Sequence, residues 1–237
     1  MNAALSFVYP EVCQLCEEAR ATPGQGFVCD DCRAGVKFIA APFCERCGMP
    51  YGGAVTTRIE ECANCCEMEL HFRSARSAVE TDDHVRDAIV RYKYNRALWF
   101  ESFLGELLVT QAKPALEKEA WNWIVPVPLH PTKERQREFN QAERLARVLS
   151  AATGIRVNDR LVKRVVATRT QTKLTRDERV TNMKNAFAIC NGTHLNGERI
   201  VVLDDIFTTG ATTSACAKAL RAAGAGEVCV WTVARGI

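Results

Sequence analysis

Nowhere in the chain is there a run of about 18 apolar side chains, the length a spanning helix needs, so no membrane insertion is expected. The opening stretch, MNAALSFVYP, has neither a basic leader nor a long apolar core. A secretory signal is therefore not expected, and a cytoplasmic protein is. Internal repeats and low-complexity tracts are missing too. Beyond residue 66 cysteine almost disappears, with only Cys190, Cys216 and Cys229 among twelve in all. What is present is ordinary for a soluble globular protein: 47% hydrophobic and 25% charged residues in a chain of 237. That length suits one medium domain plus a small module.

The other nine cysteines crowd the first 66 residues: Cys13, Cys16, Cys29, Cys32, Cys44, Cys47, Cys62, Cys65 and Cys66. Without an export signal, their paired CxxC spacings favour metal over disulfides. Cys13 and Cys16 are followed after twelve residues by Cys29 and Cys32; Cys44 and Cys47 are followed after fourteen by Cys62 and Cys65. Each CxxC turn aims two thiolates at one ion, and two turns complete a tetrahedral four-thiolate zinc site. A redox dithiol is the competing reading. Cys66 is surplus, and replaces Cys65 as ligand if the register slips by one. Four protein ligands leave no open position for water, so both zinc sites read as structural. A module with so little other apolar content depends on metal to fold.

Charge is spread unevenly. Residues 1–70 hold five Lys and Arg against ten Asp and Glu, a net of −5, while residues 130–199 hold fifteen against seven, a net of +8. Two zinc–thiolate sites lower the whole-chain charge from +3 to about −1. The cysteine module thus has the wrong sign for nucleic acid, and a docking or scaffolding role is expected of it. Anionic partners should favour the basic second half.

From about residue 74, strand and helix patterns alternate. RSARSAV predicts a strand near Arg76. DDHVRDAIVRYKY places Val85, Ala88, Ile89 and Tyr92 at helical spacing behind an Asp82 or Asp83 cap. A second helix is predicted from Phe100 to about Gln111, then a strand from Trp123 to Val127 and a Pro-punctuated loop. NQAERLARVLSAATG reads as an amphipathic helix stopping at Gly154. RLVKRVV and RIVVLDD read as strands, TTSACAKALRAAGAG as a helix from about Thr212 to Ala223, and EVCVWTVA as the last strand. The expectation is an α/β domain, a mainly parallel sheet flanked by helices, over residues 73–237, behind a double zinc-ribbon module over 1–72.

The most informative stretch is VVLDDIFTTGATT, from Val201. In an open α/β sheet, ligands gather at the carboxyl ends of strands, where Asp204 and Asp205 are expected. Thr208, Thr209, Gly210, Ala211 and Thr212 then lead into a helix whose free N–H groups suit a phosphate. Gly210 permits close backbone approach, and the threonine hydroxyls add donors. Carboxylates beside a phosphate would repel it, so the aspartates should face ribose hydroxyls, or a magnesium ion on a pyrophosphate. The bland reading is a strand followed by a threonine-capped helix.

Ile200 to Thr212 resembles the thirteen-residue phosphoribosyl pyrophosphate (PRPP) signature of type I phosphoribosyltransferases. VPVPLHPTKERQREFNQAERLA from Val125, RYKYNRALWF, and TQTKLTRDERVTNMKNAF with Gln171, Arg179, Asn182 and Phe187 are similar to the ComF family. That family joins a double zinc ribbon to a phosphoribosyltransferase domain, and includes competence proteins for DNA uptake and relatives linked to gluconate use. The chain departs from it at Glu138, where the family usually has Gly in an Arg-Gly-Phe-Asn-Gln run. The resemblance implies that Asp204 and Asp205 hold the ribose hydroxyls and that Thr208 to Thr212 wrap the 5-phosphate. It also implies that the loop after Val127 meets pyrophosphate and magnesium, and that Arg169–Arg176 form a lid. Lys93, Arg137 and Arg179 are candidate phosphate contacts.

Three functions follow. One is a ComF-like PRPP-binding protein in DNA uptake and utilisation, with single-stranded DNA and uptake proteins as partners of region 130–199. There Arg135, Arg137, Lys163 and Arg164 would meet phosphates, and Phe139, Trp99, Trp121 and Trp123 are either stacking platforms or core. The second is an active magnesium-dependent phosphoribosyltransferase on an unidentified nitrogen acceptor, in nucleotide metabolism. No base-recognition element or general base stands out for it; His130 is the best-placed imidazole. A pure zinc scaffold does not account for the phosphate motif.

Overall fold

The computed structural model describes residues 11–51, 62–66, 69–166, 186–190 and 193–236, with the side chain of Cys66 outside that set. Five parallel strands make the main sheet: β1 (Ser74–Glu80), β2 (Trp123–Pro126), β3 (Arg156–Val157), β6 (Arg199–Phe207) and β7 (Glu227–Arg235). Their spatial order is β1-β7-β6-β2-β3. The central β6 and β7 are nearly continuous apolar runs, as strands covered on both faces must be.

Alternate residues of those strands serve two different cores. Val201, Leu203, Cys229, Trp231 and Val233 face α3 (Asp83–Tyr94), α4 (Phe100–Leu116) and α6 (Gln141–Thr153). Ile200, Val202, Val228 and Val230 face α7 (Ala211–Ala222). Helix ends follow from their caps. The Asp82 carboxylate accepts from the Val85 N–H at 2.7 Å, the Asn140 side chain from Ala142 at 3.0 Å, and Gly154 closes α6 at φ 77.

The cysteine segment does not hang free. Its pieces are a 3₁₀ turn (Pro23–Gln25), α1 (Asp30–Ala34) and α2 (Ala63–Cys66), and each half joins one core. Cys13, Cys29 and Cys32 pack with the α3 and α4 side; Cys44, Cys47 and Cys62 pack with the α7 side. Arg91 donates to the carbonyl of Gln14, and Arg33 pairs with Glu106. Close approach sets the second contact: a Cβ on Gly48, which has φ +68, would lie 2.6 Å from the Ala75 carbonyl oxygen. The acidic module is therefore docked onto its own chain.

One strand pairs outside the main sheet, and one expected loop contains a helix. Val162–Arg164 (β4) pairs antiparallel with Phe187–Ile189 (β5) in a separate two-stranded sheet and does not extend the main one beyond β3. The Pro-punctuated loop after β2 contains a helix, α5 (Pro131–Arg137). Pro131 there has the φ a first helical turn needs, and His130 Nδ1 caps it by accepting from Thr132 N–H at 3.3 Å.

Glu138 closes α5 at φ 68, ψ −4, the left-handed region where the ComF resemblance expects glycine. A side chain there costs about 1 kcal/mol, and the exposed Arg96–Glu138 pair at 2.6 Å offsets only a fraction of that. Glu138→Gly should raise the thermal midpoint by about 2 °C, read by calorimetry. A lower midpoint would show that the ion pair outweighs the backbone strain.

Candidate functional site

The site grows from the carboxyl end of β6. Asp204 and Asp205 are consecutive strand residues, so their side chains leave opposite faces of the sheet. Asp205 is only 2% exposed, and the Lys93 ammonium, from the last turn of α3, sits 2.8 Å from its Oδ1. Its Oδ2 is buried and has no hydrogen-bond partner among the described residues. Asp204 is half-buried, and its Oδ1 accepts from the Asp205 N–H at 2.9 Å. Burial pushes its carboxyl up to about 7; the neighbouring Asp205 charge adds to the rise, and Lys93 opposes it.

The chain then turns. Gly210 has φ +89, and a Cβ there would lie 2.5 Å from the tip of the Phe207 ring, so conformation and space both require glycine. Thr209 Oγ1 accepts from the Ala211 N–H at 3.3 Å, and Thr213 Oγ1 donates to the Gly210 carbonyl at 3.1 Å. No acidic residue occupies the first turn of α7, which leaves its amide end electropositive.

Acids and turn line one cleft of about 300 Å³, together with Arg86, Lys93, Lys133, Arg137 and Arg164. A second cavity of about 190 Å³ shares Lys93, Tyr94, Lys133 and Arg137 with it and is also lined by Arg96 and Gln136. Burial pulls the Lys133 ammonium down, and Arg164, Arg137 and Lys93 add repulsion. Such a concentration of cations favours an anionic ligand.

All the residues expected at the phosphate turn, Asp204, Asp205, Thr208, Thr209, Gly210, Ala211 and Thr212, line this cleft, as do Lys93 and Arg137. Lys93, however, already holds Asp205. Arg179, with Gln171, Asn182 and the Arg169–Arg176 segment, lies outside the described residues. Arg86 and Lys133 went unnoticed in the sequence. Arg86, Ile89, Val90 and Lys93 share one helical face, a readable pattern, but only the packing of α3 shows that this face meets β6.

The basic segment is not one continuous outer patch. Arg144 pairs with Glu101, Arg147 with Glu143 and Asp159, and Arg199 with Glu119 and Glu227. Arg164 and Arg137 turn into the cleft, while Arg135 and Lys163 stay exposed. Among the aromatics, Phe139, Trp121 and Trp123 pack against the cores, and Trp99 is 40% exposed.

The two cysteine groups fit zinc on geometry. A tetrahedral ion with bonds of about 2.3 Å spaces its sulfurs about 3.8 Å apart. Cys13–Cys32 and Cys16–Cys29 are separated by 3.8 Å, Cys44–Cys65 by 3.7 Å and Cys47–Cys62 by 3.6 Å. Within each group all ligand atoms lie within 4.8 Å of one another, and Cys65 is the fourth member of the second.

A family profile described as the double zinc ribbon domain matches residues 4–66. Competence protein F of Haemophilus influenzae is 30% identical over 212 residues, spanning 88% of this chain and 90% of that protein. The chain belongs to the competence protein F family. DNA utilization protein YhgH of Escherichia coli K12 is 28% identical across 95% of this chain and 97% of its own. Competence protein ComFC of Bacillus subtilis is 29% identical across 81% and 77%. Among solved structures, a purine phosphoribosyltransferase from Pyrococcus horikoshii aligns over 56% of this chain and 83% of its own at 13% identity. Its TM-score of 0.36 is too low to carry a fold argument. No helix among the described residues is long and apolar enough to cross a membrane.

The raised Asp204 carboxyl ties stability to pH. The folded form keeps a proton that the unfolded chain has released, so the stability Asp204 contributes is complete below 3.8, its unburied value, and lost as pH rises through about 7. Asp204→Asn removes that loss. With zinc present, the variant should melt above wild type at pH 8, with a smaller margin at pH 6. Equal margins at both pH values would contradict the buried-carboxylate account.

Proposed function

We propose that this competence protein F family member binds PRPP, or a related ribose phosphate, at the end of β6 and acts in DNA uptake and utilisation. The observation that carries the reading is the single cleft that joins an acid pair, a hydroxyl-and-amide turn and five cations. The turn from Thr208 to Thr212 would take the 5-phosphate, and the acids would take the ribose hydroxyls. The buried, unpartnered Oδ2 of Asp205 fits an incoming hydroxyl donor. Lys133 and Arg137 would face the pyrophosphate, whose charge a bound magnesium ion would partly neutralise.

The biological part of the reading comes from the relatives' names, competence protein and DNA utilization protein. Residues 1–72 would form the zinc-ribbon module and 73–237 the phosphoribosyltransferase-like domain of a cytoplasmic protein. Single-stranded DNA would meet the exposed Arg135 and Lys163, outside the cleft.

Calorimetry of PRPP with the zinc-loaded chain tests the reading. Heat of binding should appear with magnesium and weaken at least about tenfold in the Asp204→Asn, Asp205→Asn double variant, which loses two charge-assisted hydrogen bonds. Binding that ignores both magnesium and the double substitution would refute it.

A further inference from the structure

The cleft's turn and the second cysteine cluster are joined by one side chain. Arg235, at the end of β7, is 0% exposed, among the largest fully buried side chains in the molecule. Its guanidinium lies 4.4 Å over the Phe207 ring, and Nη1 donates to the Thr208 carbonyl at 2.9 Å. On its other side, Nη2 is 3.9 Å from Cys47 Sγ and 3.9 Å from Met49 Sδ. Its Nε is buried with no partner among the described residues.

A guanidinium stays charged in a protein and is costly to bury without an opposing charge. Among the described residues no carboxylate pairs with Arg235. The opposing charges acting on it are Cys47, Cys62, Cys65 and Cys44, the four ligand candidates of the second cluster. Four thiolates around a zinc ion carry a formal charge of about −2. That excess is the counter-charge a buried cation needs.

We propose that Arg235 is a positioning residue: it neutralises the second zinc–thiolate centre and, through the Thr208 carbonyl and the Phe207 ring, fixes the turn that faces the cleft. Phe207 transmits the constraint further, because its ring tip fills the space beside Gly210. Among the described residues the first centre has no such link. Its cysteines pack against α3 and α4 in the other core, where Arg91 and Arg33 are the connecting cations. The two metal sites therefore differ in consequence: loss of the second metal loosens the turn, and loss of the first does not. A consequence for ligand affinity rests on the phosphate reading above; the coupling itself does not.

The test compares two matched, half-exposed ligands, Cys16→Ser in the first centre and Cys65→Ser in the second, the latter made together with Cys66→Ser so that the adjacent thiol cannot take its place. Each is made in the full chain, with zinc counted by native mass spectrometry, and Arg235→Gln is made alongside. Hydrogen exchange of amides in residues 207–214 should be about tenfold faster in Cys65→Ser and in Arg235→Gln, and unchanged in Cys16→Ser. If Arg235→Gln fails to fold, the cysteine pair decides alone. Wild-type protection in Cys65→Ser or in a folded Arg235→Gln, or equal loss in both cysteine variants, would overturn the proposal. A turn that loosens as expected in a chain that ignores PRPP would uphold the coupling and reject only the ligand assignment.

Discussion

The arrangement depends on burying negative charge at the end of a central strand. Asp205 sits in the floor of the cleft with Lys93 as its cationic partner. Removing one member of such a buried pair costs about 3–5 kcal/mol, because the other is left uncompensated. That requirement fixes where α3 ends, since Lys93 belongs to its last turn. It also brings Arg86 and Tyr94, on the same helix, to the cleft wall. Among the described residues Asp204 has no such ion pair, and burial raises its carboxyl, with the Asp205 charge adding to the rise. The pair is unequal: one acid faces an ammonium at 2.8 Å, and the other is raised by burial to about 7.

Metal enters this scheme as a substitute for apolar core. The amino-terminal segment is too short to close a hydrophobic core of its own, so each ribbon lends its cysteines to a core on one face of the sheet. The acidic module and the α/β domain thus form one packed body through both faces. The same geometry repeats in the two ribbons with different residues. Glu17 N–H donates to the Cys13 carbonyl at 2.9 Å, as Gly48 N–H does to Cys44 at 2.8 Å. The first knuckle tolerates Glu17 at φ 60; the second needs glycine, because Gly48 abuts the Ala75 backbone.

Much of this was legible in the residues. Periodicity located α3, α6, α7 and the strands β1, β2, β6 and β7, since the helices carry a 3.6-residue apolar pattern and the strands short apolar runs bounded by turn residues. The CxxC spacing identified both four-cysteine groups, because ligand geometry constrains sequence directly. Elements set by tertiary context were not readable. Val162–Arg164 looks like any other apolar strand, and nothing local shows that it pairs with Phe187–Ile189 instead of joining the main sheet. Likewise, nothing local marks Arg164, inside a stretch that reads as an ordinary strand, as a cleft residue, or Arg235, just past the last such stretch, as a buried one. The +8 excess over residues 130–199 was visible, but not that its arginines divide between carboxylate partners, the cleft and open solvent.

The central claim is that amides and hydroxyls from Thr208 to Thr212 grip an anion beside the Asp204–Asp205 pair. Backbone amide resonances of the isotopically labelled, zinc-loaded chain, followed during titration with ribose 5-phosphate, address it most directly. The account predicts saturable shifts concentrated in residues 208–213, with smaller ones at Lys93 and Asp205. Shifts that fall elsewhere, or a spectrum that does not respond, would contradict it.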